Sequence, residues 1–382
     1  MRALAVMLAL VASSLAAQDA PVLEAFVDGQ VEARDIRIDA QVRSDGDGVL
    51  WTDEISVAGS DYIRLLLRVE GPAFPPGARL LLVGALGQQA EIALETIGAE
   101  GLWTQLMPFG RVRMALIADA AVAVESVLVI DSIAMQSSKV TPYSVYGENQ
   151  LTPINAAAVP ENLRGLGAPV AFLSFIQGGF ARTCSGFLIG PDLLLTNEHC
   201  INNAETCRTM TAVFGFEFDA GGQLQIGPQV GCKQVEERFL NVALDASVVK
   251  LDRAPGPDFG QISVAANAAS VATPMVIVQH PGSQPKQISI LDCAAGEIRV
   301  DGRAQATDFT HTCDTAGGSS GAPVFDAHGA LVGLHHFGFQ DGEAWETNRA
   351  VHADLIAAWL ETLGADAPQQ GNSASDTTGA DQ

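Results

Sequence analysis

Apolar residues along this chain fall mostly in short runs or in alternation with polar ones, a period of two that marks strands, and only one segment near the end repeats at helical spacing. Between residues 22 and 135 such runs occupy 62–69, 79–83, 91–96, 111–117 and 126–133, with turn signals such as Pro75-Pro76-Gly77 and Phe109-Gly110 between them. This spacing predicts a β-sandwich over residues 18–136. It holds no cysteine and no histidine, so no reaction is expected within it.

Residues 137–167 combine prolines, glycines and polar residues with little period, which suits a linker or a processing region. The strand pattern resumes at 170–176, 186–189, 193–196, 210–218, 247–251, 274–279, 297–300 and 330–337, so residues 168–364 read as a second all-β unit. Residues 253–259, RAPGPDF, interrupt it near its midpoint with two prolines and suit a connection between two halves, which would place a site between them. Leu355, Ile356, Trp359, Leu360 and Leu363 recur at helical spacing with Gly364 as a stop, predicting one closing helix. Residues 365–382 lack large apolar side chains and read as a disordered tail.

Composition changes this picture little. With 382 residues, 48% hydrophobic and 17% charged, the chain can build two cores and is no candidate for wholesale disorder. A formal charge of -23 repels phosphates and anionic lipid heads, so neither nucleic acid nor a membrane surface is an expected partner. Residues 1–17 begin with Arg2, continue with an apolar run from Ala3 to Ala12 and end in small residues before Gln18, the pattern of a signal peptide. That run is shorter than the roughly 20 residues a spanning helix needs, so a secreted or periplasmic protein is expected. Six cysteines, Cys184, Cys200, Cys207, Cys232, Cys293 and Cys313, agree with export to an oxidising compartment. Their number leaves the pairing open; neighbours in order (184 with 200, 207 with 232, 293 with 313) are the expected disulfides. No C-x-x-C pair occurs, and no metal site is expected.

The candidate chemistry lies in three segments. Gly317-Gly318-Ser319-Ser320-Gly321-Ala322-Pro323 is a glycine-rich turn presenting serines just ahead of the apolar pair Val324-Phe325. A serine hydroxyl needs a base to take its proton and donors to hold the oxyanion, and the glycines let the amides of Gly318 and Ser320 converge on one spot. Leu195-Thr196-Asn197-Glu198-His199-Cys200 places a histidine at a strand end, beside a cysteine able to tether it, with Cys184-Ser185-Gly186-Phe187-Leu188-Ile189 upstream. Asp245 opens the apolar strand Ala246-Ser247-Val248-Val249-Lys250-Leu251, and its carboxylate can orient His199 and stabilise its cationic form.

Together the segments CSGFLI, LLTNEHC, DASVVKLD and GGSSGAPVF, in the order His, Asp, Ser, resemble the chymotrypsin-like serine peptidases over about residues 168 to 363. The resemblance implies two β-barrels with the site in the cleft between them. It implies His199 as general base and acid, Asp245 as its orienting partner, Ser320 as nucleophile, and Gly318 and Ser320 as oxyanion donors, with peptide bonds cleaved through an acyl-enzyme by a monomer that needs no cofactor. Ser320 rather than Ser319 matches the nucleophile because Gly321-Ala322-Pro323 follows it. Ser319 departs from the aspartate that trypsin-type enzymes carry there, so their activation by an aspartate-bound new amino terminus is expected to be absent.

CDTAGGSSGAPVFDAHGALVGLHH is most similar to the bacterial glutamyl endopeptidases, which implies that Thr315 and His335 line a pocket for an acidic substrate side chain. Asp314 stands where trypsin-type enzymes select arginine or lysine, so that specificity stays open too. RLLLRVEGPAFPPGARLLLVG and GLWTQLMPFGRVRMAL in the amino-terminal half resemble the corresponding region of lysyl-endopeptidase-type precursors, which implies a propeptide that masks the cleft or assists folding; a permanent accessory domain is its alternative. Two rivals remain. Gly317 to Gly321 fits G-x-S-x-G with Ser319 as an esterase nucleophile, although Pro323 and Val324-Phe325 point to a strand where that motif needs a helix. A non-catalytic binding module on the same fold is the other.

Overall fold

The computed structural model describes residues 23–39, 48–118, 125–138, 144–339 and 347–364. The expected signal peptide at 1–17 and the expected tail at 365–382 lie outside them. Among the described residues no helix is long and apolar enough to cross a membrane.

The amino-terminal unit is two packed sheets. One orders Val49–Ser56, Arg111–Ile117, Arg79–Gly84 and Gln89–Ala93. The facing layer joins Phe26–Asp39, Val127–Gln136 and Tyr62–Glu70. Alternation decides which side chains go inward: in Arg111–Ile117 the buried residues are Val112, Met114 and Leu116, in Arg79–Gly84 Leu80 and Leu82, and they meet Leu65, Leu67, Leu128 and Ile130 from the other layer.

The facing layer does not end there. Phe26–Asp39 pairs antiparallel with Val127–Gln136 on one side and with Phe180–Leu188 on the other, in register Phe26 with Thr183 and Gln30 with Phe180. Phe180–Leu188 belongs to a closed barrel ordered Val170–Gln177, Thr211–Val213, Gln229–Gln234, Ala246–Leu251, Leu193–Thr196 and Phe180–Leu188, the last pairing back to the first. A continuous sheet thus runs from the amino-terminal unit into the barrel.

The remaining strands make a half-barrel ordered Thr152–Pro153, Gln287–Ser289, Met275–Gln279, Pro323–Asp326, Leu331–Phe337, Asn348–His352, Asp308–His311 and Ala295–Val300. An isolated bridge from Pro274 to Ala294 links its two sides. Barrel and half-barrel form the chymotrypsin-like arrangement that the segment order implies, and Ala353–Thr362 closes it as a helix burying Ile356, Ala357 and Leu360. The expected strand over 210–218 is split by Gly215 at φ 58°, and the one over 91–96 ends in the single turn Leu94–Thr96. The connection at 253–259 contains the short helix Gly256–Phe259.

Buried polar groups fasten the two units. Arg64, 1% exposed, donates to the carbonyls of Thr104 and Ser174 and to Oγ1 of Thr211. Gln229 exchanges hydrogen bonds with the backbone of Leu106. Asp28 accepts from Nε2 of Gln136 and, at 2.6 Å, from Oγ of Ser283, while Oε1 of Gln136 accepts from Oγ of Ser174. Burial raises the Asp28 carboxyl to about 6 against the pull of those donors. For an acid raised in the folded state, the native form holds the proton longer, so stability falls as pH climbs from about 4 through 6. Asp28→Asn removes the titration and is expected to gain about 2 kcal/mol relative to the unaltered protein between pH 4.5 and 7.5. Thermal melts at the two pH values check this; an equal difference at both would refute it.

Candidate active site

His199 lies in the turn that follows Leu193–Thr196, and that turn is held from both sides. Cys200 is bonded to Cys184 in the neighbouring strand, and Nδ2 of Asn197 donates to the carbonyl of Asp245 at 2.9 Å. The other two disulfides join Cys207 to Cys232 and Cys293 to Cys313, so all six cysteines pair with their neighbours in order. Asp245 adopts φ 45° just before Ala246–Leu251, a left-handed conformation that aspartate tolerates better than most residues and that turns its side chain back toward His199.

The Asp245 carboxylate is fully buried and receives four donors. Oδ1 accepts from the His199 amide at 3.0 Å and from Nη1 of Arg303 at 3.0 Å. Oδ2 meets Nδ1 of His199 at 2.7 Å and Nδ1 of His336 at 3.2 Å. Burial alone would push this carboxyl up, but the rings of His199 and His336 hold it well below the ordinary carboxylate range. Arg303 also binds Glu198 at 2.6 Å, and the second nitrogen of His336 meets Oδ2 of Asp308 at 2.8 Å. Arg303, Glu198, His336 and Asp308 are partners that sequence reasoning missed. His336 lies 91 positions from Asp245 and 28 from Asp308, and no local motif ties them.

Ser320 sits in the glycine-rich turn, half-buried, and its carbonyl accepts from the Ser185 amide at 2.7 Å. Ser185 follows the cysteine bonded to Cys200, so the serine turn and the histidine turn are pinned to the same corner of the sheet. Oγ of Ser185 donates to the carbonyl of Gly318. Gly321, at φ 85°, tolerates no side chain: a Cβ there would lie 2.1 Å from the Ser185 carbonyl oxygen. Ser319 points inward, fully buried, and its hydroxyl accepts from the Ala316 amide at 3.0 Å, an ordinary turn-bracing role.

The three residues expected to read the substrate have different environments. The Asp314 carboxylate is buried and accepts from the amides of Tyr146 at 2.9 Å and Gln150 at 2.8 Å. Thr315 is fully buried, and its Oγ1 has no hydrogen-bond partner among the described residues. His335, on the opposite face of its strand from His336, brings Nδ1 to 3.1 Å from Nε2 of His311. Burial, then the neighbouring His311, pushes His335 well below its ordinary value, so its ring is neutral.

The amino-terminal segment lies along one wall. Leu23 and Glu24 bound a cleft with Arg182, His199 and Arg303. Nη1 of Arg182 donates to the Ala25 carbonyl, Ala25 packs among Cys184, Cys200 and Leu173, and the Phe26 ring lies against Gly317, where a Cβ would come within 2.1 Å of it. His199 also lies near the sulfurs of Cys184 and Cys200, but these are bonded to each other and offer no thiolate to a metal.

Residues 184–334 match the family model described as the trypsin-like peptidase domain. A curated relative, the uncharacterized protein y4fB of Sinorhizobium fredii (strain NBRC 101917 / NGR234), is 36% identical over 172 residues, 41% of this chain; the chain spans about a quarter of that relative's length. Solved structures similar to the chain include a Glu endopeptidase in complex with MPD (20% identical, 57% of this chain and 98% of the other, TM-score 0.43). Two others are the active form of the Rv3671c protease from M. tuberculosis (19%, 59% and 96%, 0.41) and the serine endoprotease from Yersinia pestis (17%, 55% and 68%, 0.41). On the family match, residues 184–334 of this chain form a trypsin-like peptidase domain.

Proposed function

We propose that the protein is a serine endopeptidase in which His199, Asp245 and Ser320 form the catalytic triad. The observation that carries this reading is the fully buried 2.7 Å contact between Nδ1 of His199 and Asp245, at the corner where the Ser320 turn is pinned. Asp245 fixes the tautomer with the proton on Nδ1, leaving the Nε2 lone pair free to take the Ser320 proton. Oγ of Ser320 then attacks the peptide carbonyl, and the amides of Gly318 and Ser320 hold the oxyanion. His199 returns the proton to the leaving amine, and water releases the acyl group by the same steps in reverse. The inward-facing, amide-bound Ser319 weighs against an esterase with Ser319 as nucleophile, and it braces the turn without an ion pair to a new amino terminus. Three disulfides fit an oxidising compartment outside the cytoplasm.

For specificity we favour an acidic side chain before the scissile bond. The Asp314 carboxylate is already satisfied by two backbone amides, which weighs against its pairing with a substrate arginine or lysine. The neutral His335 ring and the unpartnered Thr315 hydroxyl offer uncharged hydrogen-bonding groups, with no carboxylate of their own, that suit an acidic side chain. The amino-terminal unit is read as a retained accessory domain whose first strand walls one side of the site. A peptidyl phosphonate with glutamate next to phosphorus is expected to label Ser320, at least about tenfold faster than its lysine counterpart. Mass spectrometry of the labelled peptide reads both points: absence of label with either probe sinks the peptidase, and faster lysine labelling sinks only the acidic preference.

A further inference from the structure

We propose that His336 is a positioning residue of this site: an imidazolium wedged between the carboxylates of Asp245 and Asp308 that fixes Asp245 against His199 and sets the charge His199 faces. The proposal rests on the peptidase reading of His199, Asp245 and Ser320 and goes beyond it, because neither a serine-peptidase triad nor its oxyanion donors require a second histidine here.

The argument starts from the two ring nitrogens. Nδ1 lies 3.2 Å from Oδ2 of Asp245 and Nε2 lies 2.8 Å from Oδ2 of Asp308, with the side chain of His336 and both carboxylates excluded from solvent. A neutral imidazole has one donor and one acceptor, so one of its nitrogens would turn a lone pair toward a carboxylate oxygen. Only the doubly protonated ring satisfies both contacts while both acids stay ionised. Burial by itself pushes the ring down, and Asp308 and Asp245 more than reverse that, holding it up to about 9.

The surroundings complete the charge count. Asp245, Asp308 and Glu198 are negative, and His336 and Arg303 are positive, leaving one unmatched negative charge. Protonation of His199 during turnover neutralises it. His311 is down to about 3 and His335 is well below its ordinary value, both through burial first, so these rings add no charge. Arg349 touches the field of Asp308 from the rim, sharing it with Glu297 and Asp301. Removing the His336 cation therefore leaves two unmatched negative charges, and the protonated, inactive form of the base becomes easier to reach. It also strips one of the two donors from Oδ2 and frees the carboxylate to turn.

The test uses the full chain with His336→Asn and, separately, Asp308→Asn, which leaves the ring in place with a single carboxylate. Both are expected to lower kcat about ten- to hundredfold with KM within about twofold. By the same charge count the acid limb of kcat/KM is expected to move up by about one pH unit in His336→Asn, and not to move up in Asp308→Asn, which loses a negative charge. A merely structural role would reduce the fraction of active sites alike at every pH and leave the limb where it was. Nitrogen NMR of histidine-labelled protein is expected to show both His336 nitrogens protonated from pH 6 to 8, and it reads the ring directly even where His336→Asn fails to fold. A neutral ring in that range, a limb unmoved in folded His336→Asn, or a limb moved up in folded Asp308→Asn overturns the proposal. Failure of the phosphonate to label the unaltered protein would instead bring down the peptidase reading.

Discussion

Asp245→Asn is expected to lower kcat about ten-thousandfold while KM stays within a few fold. Asparagine keeps the shape and one acceptor oxygen but replaces the other by an amide donor, in a pocket where four donors converge: the His199 amide, Nδ1 of His199, Arg303 and His336. Whichever way the amide turns, one donor meets another. If the amide faces the ring, His199 moves its proton to Nε2, the nitrogen that must accept from Ser320. His336, on the same oxygen position as the His199 ring, then loses one of its two carboxylate partners inside the protein, so the variant also loses stability. The pH dependence has a definite sign. The Asp245 carboxyl is held below its unfolded value, so its contribution to stability is present above about pH 4 and is lost as pH falls toward its lowered value. The asparagine variant lacks that component and loses less on acidification. Steady-state kinetics on a peptide substrate checks the first expectation, with Ser320→Ala as a reference that should fall at least as far. A drop smaller than about tenfold would remove Asp245 from the machinery.

How much of this could be read from the chain depends on how local each signal is. His199, Asp245 and Ser320 stand out because each sits in a short segment whose neighbours explain it: a cysteine that tethers, a strand that begins, glycines that open a turn. The half of the site that tunes them is not local. His336 and Asp308 sit in strands of ordinary appearance, and only the fold carries their side chains to Asp245. The strand Phe26–Asp39 was illegible for a different reason. Its sequence, FVDGQVEARDIRID, carries only a short apolar alternation at Ile36 and Ile38, which pack into the sandwich core, while its first half is held by backbone ladders on two sides and buries the carboxylate of Asp28. That strand is what joins the two units, so the expected boundary at 137–167 gave no hint that one sheet continues across it. Pairing of the cysteines in order was legible because each pair closes a short excursion between neighbouring segments.

Arg64→Ala is expected to destabilise the folded chain by about 3 to 5 kcal/mol, lowering the melting temperature by roughly 5–10 °C. In sequence Arg64 is an unremarkable charge within YIRLLLRVE, yet it is almost completely buried and its guanidinium reaches Thr104 in its own unit and both Ser174 and Thr211 in the barrel. Among the described residues no carboxylate pairs with it; two carbonyls and a hydroxyl oxygen take its hydrogen bonds. Truncation strands those oxygens away from water and opens a cavity under Trp103, whose ring lies 6.0 Å from the guanidinium carbon. Arg64→Met, which refills the volume without donors, separates the two contributions and should recover only part of the loss. Because these bonds cross between the units, the unaltered protein is expected to unfold in one transition and the alanine variant in two, the amino-terminal unit and the barrel parting company. The same contacts bear on processing: a cut within 137–167 leaves the Arg64, Asp28 and Gln229 bonds and the shared sheet intact, so the fragments should stay together until denaturant separates them. Calorimetry of Arg64→Ala decides the matter. A single transition within about 0.5 kcal/mol of the unaltered protein would mean that the junction is not what holds the wall of the site in place.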